Sequence, residues 1–177
     1  ETFLASGPTS GASMTVKIGV KKDGKITAAH GTFNFQAGAF PGSPVLNGCM
    51  CAFAPYAIEN VDVVGYDVVS NRPKAAAYRA PGSPIAAFGV ESVLDMLAKK
   101  IGMDPLELRR RNAAKKGTQM VYGPKLSHDG YLETVEALID HPAYKKPLGP
   151  NQGRGVASGF WFNGGGESSA TVNVNAD

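Results

Sequence analysis

The residues of this sequence best suited to chemistry lie in one short loop, Ala75–Gly82, with the sequence AAAYRAPG. Its residues are too small and too rich in turn formers to build a core element. Arg79 is its single charged side chain, and a helix start follows directly after Gly82. A loop of this composition favours a role in which the backbone itself comes close to a bound group.

Two carboxylates, Glu91 and Asp95, lie four residues apart and therefore on one face of a predicted helix. That spacing could suit a general acid–base pair. However, no histidine, metal motif or candidate nucleophile stands near them in the sequence. We therefore interpret both carboxylates as structural.

The residues that could bind a metal show no ligand spacing. Cys49 and Cys51 are one residue apart, which is too close for an unstrained disulfide, and no second pair completes a metal site. We interpret them as buried thiols. His30, His128 and His141 are scattered and are expected to be structural or exposed. The sequence therefore predicts neither a metal site nor a catalytic residue within this chain.

Two predicted helices position the loop. Ser83 is expected to cap the first helix through its hydroxyl, and Gly102 ends it. Asp104 and Glu107 form a capping box that predicts a second helix running to about Lys116. One apolar stripe at helical spacing supports the first helix: Ala86, Val90, Val93, Leu94, Leu97 and Ile101.

The other predicted elements complete an α+β fold, in which antiparallel hairpins and a mixed sheet pack with helices. Asp23-Gly24 lies between two alternating runs and predicts a hairpin, whose second strand ends at Gly38. A further strand is predicted over Ile58–Ser70 and a third helix over Gly130–Asp140. The apolar segment Pro44–Tyr56 is expected to be helical in part.

The C-terminal stretch is expected to add two strands around a Gly-rich turn. Apolar residues recur there in two runs: Val156, Phe160 and Phe162, then Ala170, Val172 and Val174. The second strand would end at Asp177 without a partner, which leaves an unpaired edge. We therefore expect the chain to be cut from something longer.

The charge pattern argues against nucleic acid and membrane partners. The formal net charge is +3, and the basic residues Arg109–Arg111 and Lys115-Lys116 lack interleaved aromatic side chains. We expect a solvated helix face there. No apolar run reaches the length of a membrane span, and no basic leader precedes a cleavage site. A cytoplasmic protein is the default expectation.

The loop and the two helices after it resemble the molybdopterin-binding large subunit of the molybdenum hydroxylases, the xanthine dehydrogenase and aldehyde oxidase family. The family pattern is an a-[FY]-R-x-x-G loop, a helix with E-x-x-x-D-x-L-A, and then G-x-D-P-x-E-x-R-x-x-N. The positions that match keep the family's order and spacing: Tyr78, Arg79, Gly82, Glu91, Asp95, Leu97, Ala98, Gly102, Asp104, Pro105, Glu107, Arg109 and Asn112. The resemblance covers nearly all of the 177 residues.

The resemblance implies that Arg79 and Ala80 belong to a cofactor-binding loop. In the family, the backbone of this loop approaches a molybdopterin-type molybdenum cofactor, where an N–H can donate to an oxo or hydroxo ligand without adding charge. The resemblance also implies that Glu91 anchors this loop by hydrogen bonds. Glu91→Ala should then destabilise the fold without a direct chemical effect.

The resemblance leaves two interpretations of Pro44–Tyr56, a core helix or a lining of the substrate pocket. Purine-oxidising members carry a substrate-orienting arginine in this segment, and an ungapped count places that position on or near Asn47. An amide there could orient a carbonyl by hydrogen bonds but could not neutralise an anion.

Two loop positions depart from known subfamilies. Pro81 stands where purine and aromatic aldehyde oxidisers have a stacking phenylalanine, and Ala80 stands where carbon monoxide dehydrogenases have a copper-bound cysteine. We therefore expect an aldehyde or another small oxidisable carbon centre as the substrate. Trp161 and Phe162 could line a substrate channel, or Trp161 could be an ordinary core residue.

The family's other cofactor loops and its catalytic glutamate have no counterpart in this chain. The resemblance therefore implies an internal portion of the large subunit: residues 1–117 end a first molybdopterin-binding domain, 118–152 form a helical connector, and 153–177 begin a second, truncated domain. The intact subunit would hydroxylate its substrate with oxygen from water and pass electrons to iron–sulfur and FAD centres on partner subunits or domains. The portion alone would bind no cofactor and be inactive. The alternative is a stand-alone binding or scaffold module with the same fold and no catalysis.

Overall fold

A three-stranded mixed sheet forms one layer of the fold in the computed structural model, which describes residues 6–128, 130–162 and 167–175. Strands β1 (Ala12–Val20), β2 (Ile26–Gly38) and β3 (Asn60–Val69) lie in that order. The central strand β2 is antiparallel to β1 and parallel to β3. Because parallel neighbours need a crossover connection, the chain between β2 and β3 carries a helix, α1 (Val45–Cys51).

The helical layer is organised around α2 (Ser83–Ile101), which packs against α1 and the sheet. It is followed by α3 (Pro105–Arg111), α4 (Tyr131–Asp140) and α5 (Pro142–Lys145). The core between the two layers comes mainly from Ile26 at the start of β2, from odd-numbered residues further along that strand and from every fourth residue of α2: Ala29, Phe33, Phe35, Ala86, Val90, Leu94 and Ala98. These two spacings are those of a strand and a helix with one buried face.

The α+β class, the hairpin and most element bounds agree with the sequence predictions. The hairpin turn closes through a Lys21 N–H to Lys25 carbonyl bond of 2.9 Å, and Gly24 adopts a φ of +86°. Gly102 ends α2 in the left-handed conformation, as expected for a helix C-terminus. The Asp104 side chain caps α3 by accepting from the Leu106 and Glu107 N–H groups.

Three details of the predicted helices are wrong. The helix that begins after Asp104 ends at Arg111 rather than near Lys116, because Ala114 turns away to donate to the Pro55 carbonyl. The carboxylate of Glu107 binds Arg110 and Arg111, so the structure shows only one arm of the capping box. Finally, Gly82 is the N-cap of α2, and the Ser83 hydroxyl does not cap that helix.

The two predicted C-terminal strands are also absent from the described part of the chain. Val156–Phe162 pairs with no strand, and its backbone is bound by side chains instead. Val172 and Val174 are 82% and 88% exposed, so their alternation with polar residues does not correspond to a buried face. The turn residues 163–166 lie outside the described residues.

Arg109 corrects the expectation of a fully solvated basic face. It is 1% exposed and is the largest of the fully buried side chains, whereas Arg110 and Arg111 are exposed and pair with Glu107. Within the described ranges, no helix is long and apolar enough to cross a membrane.

Candidate functional site

The loop that leads into α2 is fixed at its start by the end of β2 and by the segment around Pro8, which precedes β1. Ala75 N–H donates to the Ala37 carbonyl at 2.8 Å, and Ala76 N–H donates to the Pro8 carbonyl at 2.9 Å. Gly38 has a φ of +82°, and a Cβ there would lie 2.1 Å from the Pro73 carbonyl oxygen. The segment around Pro8 therefore helps to fix the position of the loop.

The other end of the loop is fixed by close packing on α1. Gly82 has a φ of +88°, and a Cβ at this position would lie 2.2 Å from the Pro44 carbonyl oxygen and 2.8 Å from the Gly48 nitrogen. Ala80 is held at a φ of +53°, which is uncommon for a residue with a side chain. Its carbonyl accepts from the Ser83 N–H at 3.1 Å.

Between these anchors, Arg79 to Pro81 are at least partly accessible to solvent. The Arg79 side chain is exposed, and Ala80 and Pro81 are half-buried. In the part of the chain that the structure describes, the backbone N–H groups of Arg79, Ala80 and Gly82 have no hydrogen-bond acceptor. The loop therefore combines unpaired N–H groups with one exposed guanidinium.

Asn47 lies beside this loop, half-buried in α1. The next residue, Gly48, is the one that approaches Gly82. The entry to α1 is held by Asp67, whose carboxylate accepts from the Gly42 N–H at 2.6 Å and the Ser43 N–H at 2.9 Å. Burial would raise the pKa of Asp67, but these bonds and the nearby lysine ammonium lower it overall.

Trp161 and Phe162 lie at the same end of α2 as the loop. The Ser83 hydroxyl, one residue after Gly82, donates to the Phe160 carbonyl at 2.7 Å. Trp161 is 38% exposed, and its ring stacks on that of Phe162, with 4.4 Å between ring centroids. Trp161 is therefore a surface residue rather than an ordinary core tryptophan.

Cys51, at the end of α1, joins the same cluster. Burial raises the pKa of its thiol, and hydrogen bonds to the Ser83 side chain and the Phe162 backbone partly offset that effect. The C-terminal end of α1, the start of α2 and the segment before residue 163 thus meet at one place. Asn47, Arg79, Ala80 and Pro81 lie around it, in the adjoining turn of α1 and in the loop.

A buried polar cluster lies further along α2. Glu91 is 5% exposed, and its carboxylate accepts from the Tyr56 hydroxyl at 2.7 Å, from the Ser158 N–H at 2.8 Å and from the Arg109 guanidinium, whose nearer nitrogen lies at 2.8 Å. Burial and the Glu91 charge raise the pKa of Tyr56 well above its ordinary value, so this phenol remains a hydrogen-bond donor. Tyr131 donates toward the Tyr56 oxygen at 3.5 Å.

These contacts agree with a structural role for Glu91, but they do not join it to the loop that it was expected to anchor. Within the described residues, Glu91 makes no hydrogen bond to Ala75–Gly82; it anchors the segment around Ser158 instead. The positioning roles of Tyr56, Tyr131, Ser83 and Ser158 escaped sequence reasoning, because a lone tyrosine or serine carries no spacing pattern.

The arrangement is suited to binding through the backbone. Among the described residues, no group of three or more His, Cys, Asp or Glu side chains could hold a metal ion. What the site does offer is unpaired N–H groups, a half-buried amide and two aromatic rings around an exposed loop.

Comparison with known proteins defines the class to which this fold and loop belong. Residues 1–113 match the family described as the molybdopterin cofactor-binding domain. The chain therefore belongs to that family.

Individual relatives agree with that assignment. The aldehyde oxidoreductase of Megalodesulfovibrio gigas is 31% identical over 97% of this chain, and the match spans 20% of that protein. The large molybdopterin subunit of nicotinate dehydrogenase from Eubacterium barkeri is 30% identical over 77% of this chain and 33% of its own length. The chain thus spans a fifth to a third of these relatives.

A solved structure shows the same fold. The aldehyde oxidoreductase from Desulfovibrio gigas superimposes with a TM-score of 0.73 at 33% identity, covering 80% of this chain and 16% of that one. This likeness agrees with the predicted α+β architecture of the molybdopterin-binding domains.

Proposed function

We propose that this chain is an internal portion of a molybdenum hydroxylase large subunit and that its exposed loop faces the molybdenum cofactor. The observation that carries the proposal is the loop Arg79–Gly82, which is fixed at both ends and leaves the N–H groups of Arg79, Ala80 and Gly82 without an acceptor among the described residues, in a chain of this family. The division into residues 1–117, a connector over 118–152 and a second domain from 153 is part of the same proposal.

The residues present fit an oxygen-rich, anionic cofactor. Unpaired N–H groups can donate to its oxygen atoms without adding a net charge, and the strained φ of Ala80 fixes their direction before binding. The exposed guanidinium of Arg79 adds a positive charge on the same side. Once bound, the cofactor would supply the two-electron oxidation of the substrate carbon.

The residues around the loop then define the substrate side. Asn47 offers an amide to a carbonyl oxygen, while Trp161 and Phe162 supply an apolar wall and Pro81 leaves room where a ring would otherwise stack. This set favours an aldehyde or a similarly small neutral substrate. Iron–sulfur and FAD centres on partner subunits or domains would take up the electrons, in a cytoplasmic enzyme.

The test uses the complete open reading frame that contains these 177 residues, produced in a host that makes the cofactor. We expect stoichiometric molybdenum by elemental analysis and aldehyde-dependent reduction of an artificial dye, whereas the 177-residue chain alone binds no molybdenum and is inactive. Pro81→Phe should shift kcat/KM toward aromatic aldehydes, and Ser92→Ala, in the α2 turn after the exposed Phe88, should not.

Two results would contradict the proposal. If the protein made from the complete open reading frame contained no molybdenum and did not reduce the dye, a stand-alone binding or scaffold module would be the better explanation. Stoichiometric molybdenum on the isolated chain would show that the site is complete without the rest of a subunit.

A further inference from the structure

The segment Val156–Phe162 is held in an unusual way, because its exposure alternates as in a strand although it pairs with no strand in the described part of the chain. Residues 156, 158, 160 and 162 are half-buried, whereas 157, 159 and 161 are exposed. Side chains rather than strands bind its backbone on the inner side: Arg109 donates to the Val156 carbonyl at 2.9 Å, Glu91 accepts from the Ser158 N–H at 2.8 Å, and Ser83 donates to the Phe160 carbonyl at 2.7 Å.

Two of these three contacts come from one buried ion pair. Glu91 and Arg109 are 5% and 1% exposed and would already satisfy each other's charge. Each nevertheless makes one further bond to the segment. Glu91 binds Ser158, 67 positions away, and Arg109 binds Val156, 47 positions away. The Tyr131 hydroxyl adds a contact to the Ser158 hydroxyl.

The same segment carries Trp161 and Phe162 to the start of α2. Because it has no partner strand among the described residues, its position depends on the side chains that bind its backbone and on the packing of its inner side chains. The ion pair between Glu91 of α2 and Arg109 of α3 therefore contributes two of the bonds that hold the segment carrying these two rings.

We propose that Glu91 and Arg109 are positioning residues that dock Val156–Phe162 and thereby set the apolar wall of the substrate pocket. This inference rests on the proposed function of the loop, since the rings matter to a substrate only if the cofactor lies there. The docking itself is independent of that function and can be measured without it.

The full chain provides its own reporter, because Trp161 is its only tryptophan. Ser158→Pro removes the N–H that Glu91 binds, together with the hydroxyl that contacts Tyr131, and leaves both residues of the Glu91–Arg109 pair in place. Ala157→Pro is the matched control: it places the same rigid ring one residue earlier, where the exposed Ala157 has an N–H without an acceptor among the described residues. Tyr131→Phe is a second, milder variant that removes only one hydroxyl.

We expect Ser158→Pro to release the segment. Acrylamide quenching of Trp161 fluorescence should rise by about twofold, since a side chain now 38% exposed becomes largely exposed. The emission should shift to the red, with little change in Tm. Tyr131→Phe should change the quenching in the same direction by less, and Ala157→Pro should resemble the unmodified chain. Equal quenching in Ser158→Pro and Ala157→Pro would overturn the proposal. If Ser158→Pro does not fold, unchanged quenching in Glu91→Gln, which removes the charge that binds both Arg109 and the Ser158 N–H, would overturn it.

A second readout uses the molybdenum-loaded complete subunit. Ser158→Pro should raise KM for aldehydes more than it lowers kcat, with molybdenum content unchanged, because the pocket wall moves while the loop stays. An unchanged KM beside increased quenching would retain the docking but contradict its role in the pocket. Absence of molybdenum in the unmodified subunit would instead contradict the proposed function and leave the docking result standing.

Discussion

A buried arginine is the least expected residue of this molecule. Transfer of a guanidinium out of water is costly unless each donor finds an acceptor and the charge is paired. Arg109 meets both conditions, since it binds two carboxylates, Glu91 and Asp95, and the carbonyls of Pro105 and Val156. Burial alone would lower the pKa of Arg109, but its acidic neighbours outweigh that effect and raise it, so the group remains charged.

The first prediction concerns the partner of this arginine. Glu91→Ala should reduce the free energy of unfolding by about 3–5 kcal/mol, because it leaves a buried charge without its main counter-ion. Urea denaturation followed by circular dichroism measures the change. The control is Asp140→Ala, which breaks an exposed pair with Lys145 and should cost under about 1 kcal/mol. Similar losses in the two variants would contradict the structural role of Glu91.

The sequence contained part of the information about Arg109. Three consecutive arginines suggest a solvated face, but Leu106 lies three residues before Arg109 and shares its side of the helix. Leu106 is 2% exposed, so that side is buried. Spacing alone does not select Arg109, because Leu106 also lies four residues before the exposed Arg110; of the three arginines, only Arg109 is a position of the family pattern. The acceptor at Val156 could not have been found, because it depends on how a distant segment folds back.

At the scale of elements, the junction between the loop and α1 depends on one glycine. Gly82 and Gly102 flank α2, and both have positive φ values, +88° and +69°. A Cβ at Gly102 would meet nothing within 4 Å, whereas one at Gly82 would meet the backbone of Pro44 and Gly48. A substitution at Gly102 therefore introduces backbone strain alone, whereas one at Gly82 adds a steric clash.

The second prediction uses this pair. Gly102→Ala should cost about 1 kcal/mol of unfolding free energy, from the left-handed conformation alone. Gly82→Ala should cost about 2 kcal/mol more, because α1 and the loop must also move apart. Thermal and urea unfolding of the two variants test the difference. Equal costs would show that the loop and α1 can separate freely, which would contradict a rigid cofactor-facing loop.

The elements also show where periodicity succeeds and where it fails. Alternation in β2 and the four-residue spacing in α2 each identify a buried face, because both elements pack on the core along their whole length. Val156–Phe162 alternates as well, and its inner residues are indeed the less exposed ones. Alternation reports one covered side, but it does not report whether strands or side chains bind the backbone.

At the scale of the whole molecule, one asparagine joins the hairpin to the helical layer. Asn112 donates to the Gly24 carbonyl and accepts from the Ile26 N–H, at 2.8 and 2.9 Å, across 86 or more residues of sequence. Its own carbonyl accepts from the Ala57 N–H. Because the Asn112 side chain binds the backbone of the hairpin turn, it holds the sheet and α3 in one relative orientation. Asn112 also ends the motif on which the family resemblance rests.

The last prediction follows from those bonds. Asn112→Ala should lower the free energy of unfolding by about 3 kcal/mol, since it leaves two buried backbone groups of the hairpin, at Gly24 and Ile26, without partners. The Ile26 amide should exchange its hydrogen faster. The amides of α2 should exchange faster only by the amount that the loss of global stability explains. Asn34→Ala is the control, because its single 3.4 Å bond to the Ser13 carbonyl is weak and exposed, and it should cost under about 0.5 kcal/mol. Equal stability of the two variants would mean that packing alone orients the sheet on the helices, and that the motif asparagine has another role.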